Sequence, residues 1–458
     1  MKSENKKLAI VLAYSVNIRD LINSGFLKYL LEMNRNYELT IYTQKIDIKK
    51  QLNFKSRVLP LQEYKNSFIE KIFKRFYILS QRKHMKVINQ NIKKTTKFKK
   101  LFYKLFIFFN NFVSDYKIRD LSLAVLRYTF FIKNLFNKSK YFKENYDLII
   151  FSRSLIGSFD YGYSMEAQLF KYKTILLAGS WDNFTTKGFI DFKYDKIGVW
   201  NKKMKQELIN IYKIKDERIF LTGYPRYKSL ISESKNKRND INHDFKILVC
   251  LSYSELTKYK GSNLPSEVEN IISLIKKIDK EIKNDKQVIS IIIRFHPLTN
   301  IEIDFLQEIK VSSSNLIIEC YMPGLKSEYV ESLMNKEDEN IYKDQLNNAD
   351  LIISSASTVS IDAMCLQKPQ INICWDPPKA EFYEPTTRLW KFNHLEDLVS
   401  LTNLKLCKSE DEAIEIISNC MNNNYIDNVN YYKFKEYYVP NTDQNYYCSS
   451  VVNELRDI

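Results

Sequence analysis

The chain has 458 residues, 45% of them hydrophobic and 27% charged, which is too long for one hydrophobic core and apolar enough for two or three. Nine Gly and ten Pro exclude collagen-like and Gly/Pro-rich disordered classes. Lys and Arg number 70 against 54 Asp and Glu, a formal charge of +16. The seven cysteines are scattered, form no Cys-x-x-Cys, and stand at no zinc-ligand spacing from the four His. They read as reduced thiols of a cytosolic protein, and no metal site is expected.

In chain order, the apolar run Leu8–Tyr14 comes first. It is short, and Asn17, Arg19 and Asp20 break the apolar character directly after it, so it reads as a buried strand and not a signal peptide. No stretch has the roughly 18 uncharged apolar residues of a spanning helix, so the chain is expected to be cytoplasmic, either soluble or peripheral at the inner face of the plasma membrane. Residues 60–145 hold 20 Lys/Arg and 5 Asp/Glu, a net +15 that leaves about +1 for all the rest. This segment interleaves charge with Phe68, Phe73, Phe76, Tyr77, Phe102, Phe106 and Phe109 and reads as two or three helices. Solvated lysine faces are one explanation and docking on an anionic membrane surface another. Nucleic acid is disfavoured, because no recognition module accompanies the patch.

Short β-branched runs then alternate with helical patterns, which indicates parallel α/β units. Strands are predicted at Glu38–Thr43, Asp147–Ser152, Thr174–Ala178, Lys196–Trp200 and Arg218–Thr222. A polar stretch at 231–244 marks a linker. The pattern restarts with Phe245–Ser252, a helix from Pro265 to Ile282, and strands at Val288–Arg294, Asn315–Glu319, Asp350–Ser354 and Gln370–Cys374. The expected organisation is an acceptor-side α/β domain at 1–230 with the basic insertion, a nucleotide-binding α/β domain at 245–430, and a partly helical tail at 431–458. Both domains should be doubly wound and Rossmann-like, facing across a cleft, with ligands beyond the carboxyl ends of the strands.

Four clusters stand at such ends. Ser354-Ser355-Ala356-Ser357-Thr358 follows a buried strand and opens a helix, and backbone N–H groups with small hydroxyls there form an anion cradle. Asp362, one turn on, could reach a ribose hydroxyl, although a plain Ser/Thr cap explains the same pattern. Arg294-Phe295-His296-Pro297 places an imidazole and a guanidinium where they could stabilise a leaving phosphate. Gly179-Ser180-Trp181-Asp182-Asn183-Phe184-Thr185-Thr186-Lys187-Gly188 is dense in polar groups, and a carboxylate partly desolvated beside Trp181 could serve as a general base. Thr222-Gly223-Tyr224-Pro225-Arg226 is a turn whose Arg226 could contact phosphate. There is no Gly-x-Gly-x-x-Gly, P-loop, His-Glu-x-x-His or Asp-x-Asp.

Taken in order, these pieces over roughly residues 146–385 resemble the GT-B-type glycosyltransferases of bacterial surface and capsular polysaccharide biosynthesis, and are similar to CDP-glycerol glycerophosphotransferases. Ser180 to Gly188 looks like that family's Trp-His-Gly-Thr-Pro loop, with Asp182 in the position of its His. Gly223 to Arg226 resembles its Gly-x-Pro-Arg element, Arg294 to Pro297 its Arg-x-His-Pro motif, and Ser354 to Asp362 its nucleotide-phosphate motif. The resemblance implies a metal-independent transferase without a resident cofactor, its donor a CMP- or UDP-type nucleotide sugar and its acceptor a glycan or lipid-linked hydroxyl. Asp182 and His296 would be catalytic. Arg294, Ser354, Ser355, Ser357, Thr358, Asp362 and Arg226 would bind the nucleotide, and Trp181, Asn183 and Lys187 the acceptor. Aspartate in place of histidine points to a sugar donor. A polyol-phosphate transferase, a non-hydrolysing UDP-sugar 2-epimerase and a non-catalytic scaffold are the alternatives.

Overall fold

A computed structural model describes residues 6–13, 21–22, 25–33, 36–44, 48–49, 52, 54–81, 104, 108, 113–137, 141–152, 158, 160–187, 194–224, 227, 230, 244–252, 266–282, 287–296, 315–323, 336–378, 386–439 and 446–456. They form two compact units, one of residues 1–225, 392–394 and 435–458, the other of 226–391 and 395–434. The linker expected at 231–244 lies outside the described residues except for its last one.

The first unit is built on a parallel sheet in the order β3-β2-β1-β4-β5-β6-β7. Its strands are β1 (Lys6–Leu12), β2 (Tyr37–Thr43), β3 (Arg57–Pro60), β4 (Leu148–Ser152), β5 (Lys173–Leu177), β6 (Lys196–Val199) and β7 (Ile219–Leu221). The apolar runs are continuous and not alternating because helices cover both faces. Ile10, which pairs with Ile41 on one side and Ile150 on the other, has no exposed surface. The one strand unforeseen in this sheet is β3, short and ending in Pro60, which a sheet edge tolerates because no ladder donor is needed there.

The second unit repeats the plan in the order β10-β9-β8-β11-β12-β13. Here the strands are β8 (Phe245–Cys250), β9 (Ile289–Arg294), β10 (Leu316–Tyr321), β11 (Leu351–Ser354), β12 (Gln370–Ile373) and the two-residue β13 (Leu406–Cys407). Ile247, Val249, Ile291, Ile293, Ile353 and Ile371 pack against Ile271, Leu274, Ile275 and Ile278 of the helix Ser266–Glu281 to make its core.

The basic segment contains the helices Phe68–Ser80 and Asp115–Asn137, packed on each other. Ser67 and Glu70 form a reciprocal cap at the start of the first. Glu70 is fully buried, and its carboxylate accepts from Lys133 Nζ at 2.5 Å, from Ser67 N at 2.6 Å and from Tyr64 Oη. Burial alone would raise its pKa, but Lys133, Tyr64 and Ser67 outweigh burial and hold it below the usual value. Around this pair, Tyr64 meets Phe130 at 5.7 Å and Tyr161 at 5.5 Å. On the opposite side of the second helix, Lys117, Leu121, Ala124, Tyr128 and Phe131 recur at helical spacing and are all exposed. Among the described residues no helix is long and apolar enough to cross a membrane.

The C-terminal helix Tyr446–Arg456 belongs to the first unit. It packs on the helix Phe26–Met33 through Phe26 and Tyr447, 5.9 Å apart edge to face, and Glu454 forms an ion pair with Lys196 at 3.0 Å.

Replacing Lys133 by Met leaves the Glu70 carboxylate buried without its cation. The variant is expected to lose about 2 kcal/mol of unfolding free energy at pH 7 in urea titrations. Because the folded pKa of Glu70 is depressed, the wild-type advantage is present above the usual carboxylate range and fades as pH falls through and below 4.5.

Candidate active site

In each sheet the chain leaves its first strand toward one edge, then returns to pair on the other side. The reversal falls between β1 and β4 in the first unit and between β8 and β11 in the second. Loops diverge at the carboxyl ends of such neighbouring strands and open a crevice, where α/β proteins bind ligands.

In the second unit the feature at this place is a buried carboxylate that sequence reasoning missed. Glu267, in the first turn of the helix Ser266–Glu281, accepts Ser252 N at 2.9 Å and Ser252 Oγ, just past β8, and Ser355 Oγ, just past β11. It thereby joins the two loops that flank the crevice. No cation is among these partners, so burial, the largest influence, raises its pKa despite the serine hydrogen bonds. The acidic first turn suggests only a favourable helix-dipole position, and nothing in the spacing shows that the side chain turns inward. Burial also pushes the neighbouring Cys250 thiol up to about 12, which makes it inert packing.

Several predicted donor-site residues occupy different places from those expected. Ser355 has no exposed surface, and its single hydroxyl proton goes to Glu267, so it shapes the loop and has no proton for a phosphate. Asp362 is fully buried and accepts from Tyr342 Oη at 2.8 Å, which directs it into the core and not toward a ribose. The Arg294 guanidinium lies over the rings of Tyr321 and Tyr342, at 4.7 and 4.9 Å, and donates to Gln345 Oε1 at 2.8 Å and the Asp338 carbonyl at 3.3 Å. Two rings and two acceptors thus engage it, and it braces the end of β9. Ser354 is buried in β11. Ser357 and Thr358 remain half-buried at the start of the helix Val359–Cys365, where Ser357 Oγ accepts from Val359 N at 3.1 Å. His296 is half-buried just beyond β9, next to β8 in the sheet.

In the first unit, residues 179–187 come after β5. Asp182 is 7% exposed and its carboxylate accepts from Ser180 Oγ. Its carbonyl accepts from Thr185 N at 3.3 Å and Thr186 N at 3.0 Å, which starts the π-turn Asn183–Lys187. Tyr212 Oη donates to the Phe184 carbonyl at 2.9 Å. Asn183 Oδ1 and Thr185 Oγ1 are buried in this turn with no hydrogen-bond partner. Orphaned polar atoms are rare in native interiors. A second residue invisible in the local sequence, His394, contributes from 208 positions away: its Nδ1 lies 2.9 Å from Thr186 Oγ1, and its ring meets Trp181 edge to face at 4.7 Å. The side chain of Lys187 and all of Pro225 and Arg226 lie outside the described residues. Gly223, before them, has φ +76°, a left-handed turn that suits glycine. Among the described residues no group of three or more His, Cys, Asp or Glu is placed to hold a metal.

Residues 190–454 match the family described as CDP-Glycerol:Poly(glycerophosphate) glycerophosphotransferase. The chain belongs to this family. By that membership it is a transferase. No curated protein matches it. Among solved structures it is similar to the S. aureus MnaA–UDP co-structure, with 12% identity, TM-score 0.51, and coverage of 98% of this chain and 96% of that one. It is also similar to a putative UDP-N-acetylglucosamine 2-epimerase from Listeria monocytogenes (10%, 0.51, 100% and 98%). A third similar structure is the UDP-GlcNAc-bound UDP-GlcNAc 2-epimerase from Neisseria meningitidis (12%, 0.50, 99% and 100%). At these identities the likeness concerns the fold, and it agrees with the GT-B-like, doubly wound architecture expected from the sequence.

Glu267→Gln removes the buried charge while keeping most of the shape. Since the folded pKa of Glu267 is raised, its stabilising share is present at low pH and disappears as pH rises through that pKa. Unfolding free energy of the wild type relative to Glu267→Gln is therefore expected to fall as pH rises above 4.5, as read from urea titrations at a series of pH values. An unchanged difference would show that the carboxylate is not desolvated.

Proposed function

We propose that this family member transfers a sugar from a nucleotide-activated donor to an acceptor hydroxyl of a growing surface glycan. The reading rests on Asp182, the carboxylate in the loop between Gly179 and Lys187. It stands among buried polar atoms that have unfilled hydrogen-bonding capacity. Asp182 takes the proton of the acceptor hydroxyl, whose oxygen bonds to the anomeric carbon as the bond from that carbon to the nucleotide phosphate breaks. Asn183 and Trp181 flank the acceptor. The second unit holds the donor at the carboxyl ends of β8, β9 and β11, with His296, Ser357 and Thr358 as the half-buried groups able to meet phosphate oxygens. The nucleotide is a substrate, and no resident cofactor enters the proposal. A general base contributes about 10²–10⁴ in rate. Asp182→Asn is accordingly expected to lower kcat by that factor with the nucleotide Kd unchanged in calorimetry, and wild-type turnover by the variant would remove Asp182 from this role.

A second reading is favoured by the family match itself: transfer of a polyol phosphate from a CDP-alcohol. Mass analysis of products formed from CDP-glycerol and from UDP-N-acetylglucosamine separates the two by the mass added to the acceptor.

We further infer that the helix Asp115–Asn137 rests on an anionic membrane surface, where a lipid-linked acceptor would be met. Its exposed stripe of Leu121 (60%), Tyr128 (64%) and Phe131 (42%) is apolar, and it lies in the segment that carries nearly all the net positive charge. Co-sedimentation with phosphatidylglycerol vesicles should be salt-sensitive and about tenfold weaker for Leu121→Glu/Tyr128→Glu. Equal binding to neutral phosphatidylcholine vesicles, or none to either, would count against it.

A further inference from the structure

We propose that His394 is a positioning residue for Asp182, set into the base loop from the far end of the sequence. The inference rests on the reading of Asp182 as the general base. One side of the loop is held by the Tyr212 hydroxyl, which grips the Phe184 carbonyl at 2.9 Å. The other side is held by the His394 imidazole. Thr186 N donates to the Asp182 carbonyl at 3.0 Å, and Thr186 Oγ1 pairs with His394 Nδ1 at 2.9 Å. Two consecutive hydrogen bonds thus connect the imidazole to the backbone of Asp182. On the preceding residue, the indole of Trp181 stands at 86° to the same imidazole with centroids 4.7 Å apart. That edge-to-face geometry fixes both rings. Trp181 in turn meets Tyr438 at 6.1 Å. His394 therefore touches the residue before Asp182 and the residue one turn after it.

The carboxylate itself accepts from Ser180, two positions back in the same loop, so its direction depends on the backbone between positions 180 and 186. A displacement of about 1 Å at such a group is enough to slow a reaction by roughly 10²-fold. An imidazole from outside the loop thus takes a supporting place in it.

The test is steady-state kinetics of the full chain with CDP-glycerol and with UDP-N-acetylglucosamine, read as nucleotide release in the presence of acceptor. His394→Ala and Thr186→Val are both expected to lower kcat about tenfold or more, with KM for the nucleotide within about twofold. The double variant should be no worse than His394→Ala alone, because Thr186→Val then has no remaining bond to His394 to break. His394→Asn, whose amide can place a hydrogen-bonding atom near the position of Nδ1, should recover most of the turnover. His394→Phe, which keeps the ring packing without the nitrogen, should not. Full turnover in His394→Phe or in Thr186→Val would overturn the proposal, as would a loss in kcat that His394→Asn shares equally. Asp182→Asn in the same assay keeps the two ideas apart: if it turns over normally, the base assignment fails, whereas an inactive Asp182→Asn beside a normal Thr186→Val defeats the role of His394 alone.

Discussion

A parallel strand cannot be followed directly by its neighbour, because the chain must return to the strand's starting end through a covering element. Because such crossovers have a fixed hand, both faces of a sheet are covered when the chain reverses its direction of growth, and in both units it does so beside the first strand, at β1/β4 and at β8/β11. The crevice is a consequence of that order and exists before any particular side chain is considered. The residues with unusual environments, Glu267, Arg294 and Ser355, gather at the carboxyl ends of β8, β9 and β11.

Two buried glutamates show how the surroundings decide what a carboxylate is worth. Glu70 and Glu267 both accept serine hydrogen bonds and both lose their hydration. Glu70 has the Lys133 ammonium at 2.5 Å, and its pKa falls, so it behaves as a structural tie within the helical insertion. Glu267 has serine hydroxyls and backbone groups instead of a cation, and its pKa rises. Hydrogen bonds from neutral donors recover only part of the hydration energy that a fixed positive charge restores. Glu267 nevertheless ties the segment after β8 to the segment after β11 through Ser252 and Ser355.

The sequence motifs speak to position along the chain and not to what surrounds each side chain. The stretches around Asp182, His296 and Ser354 do stand just beyond strands, as their flanking β-branched runs implied. Arg294 and Asp362, read as ligands, are engaged by Tyr321, Tyr342, Gln345 and the Asp338 carbonyl. A motif records the residue type and its distance from a strand end. Whether a guanidinium meets a phosphate or a pair of phenol rings depends on residues brought alongside it by other elements.

The amino-acid sequence by itself determined the local and periodic features. These are the parallel strands, through uninterrupted β-branched runs; the confinement of positive charge to one insertion; and the polar turns after β5, β9 and β11. Each depends on residues within a few positions of one another, so spacing and composition suffice. Only the tertiary structure decided the pairings across long separations. Glu267 meets Ser355 across 88 positions and Thr186 meets His394 across 208. Such contacts are set by strand order and helix packing, and no local pattern encodes which of four histidines or fifty-four acids will arrive at a given loop.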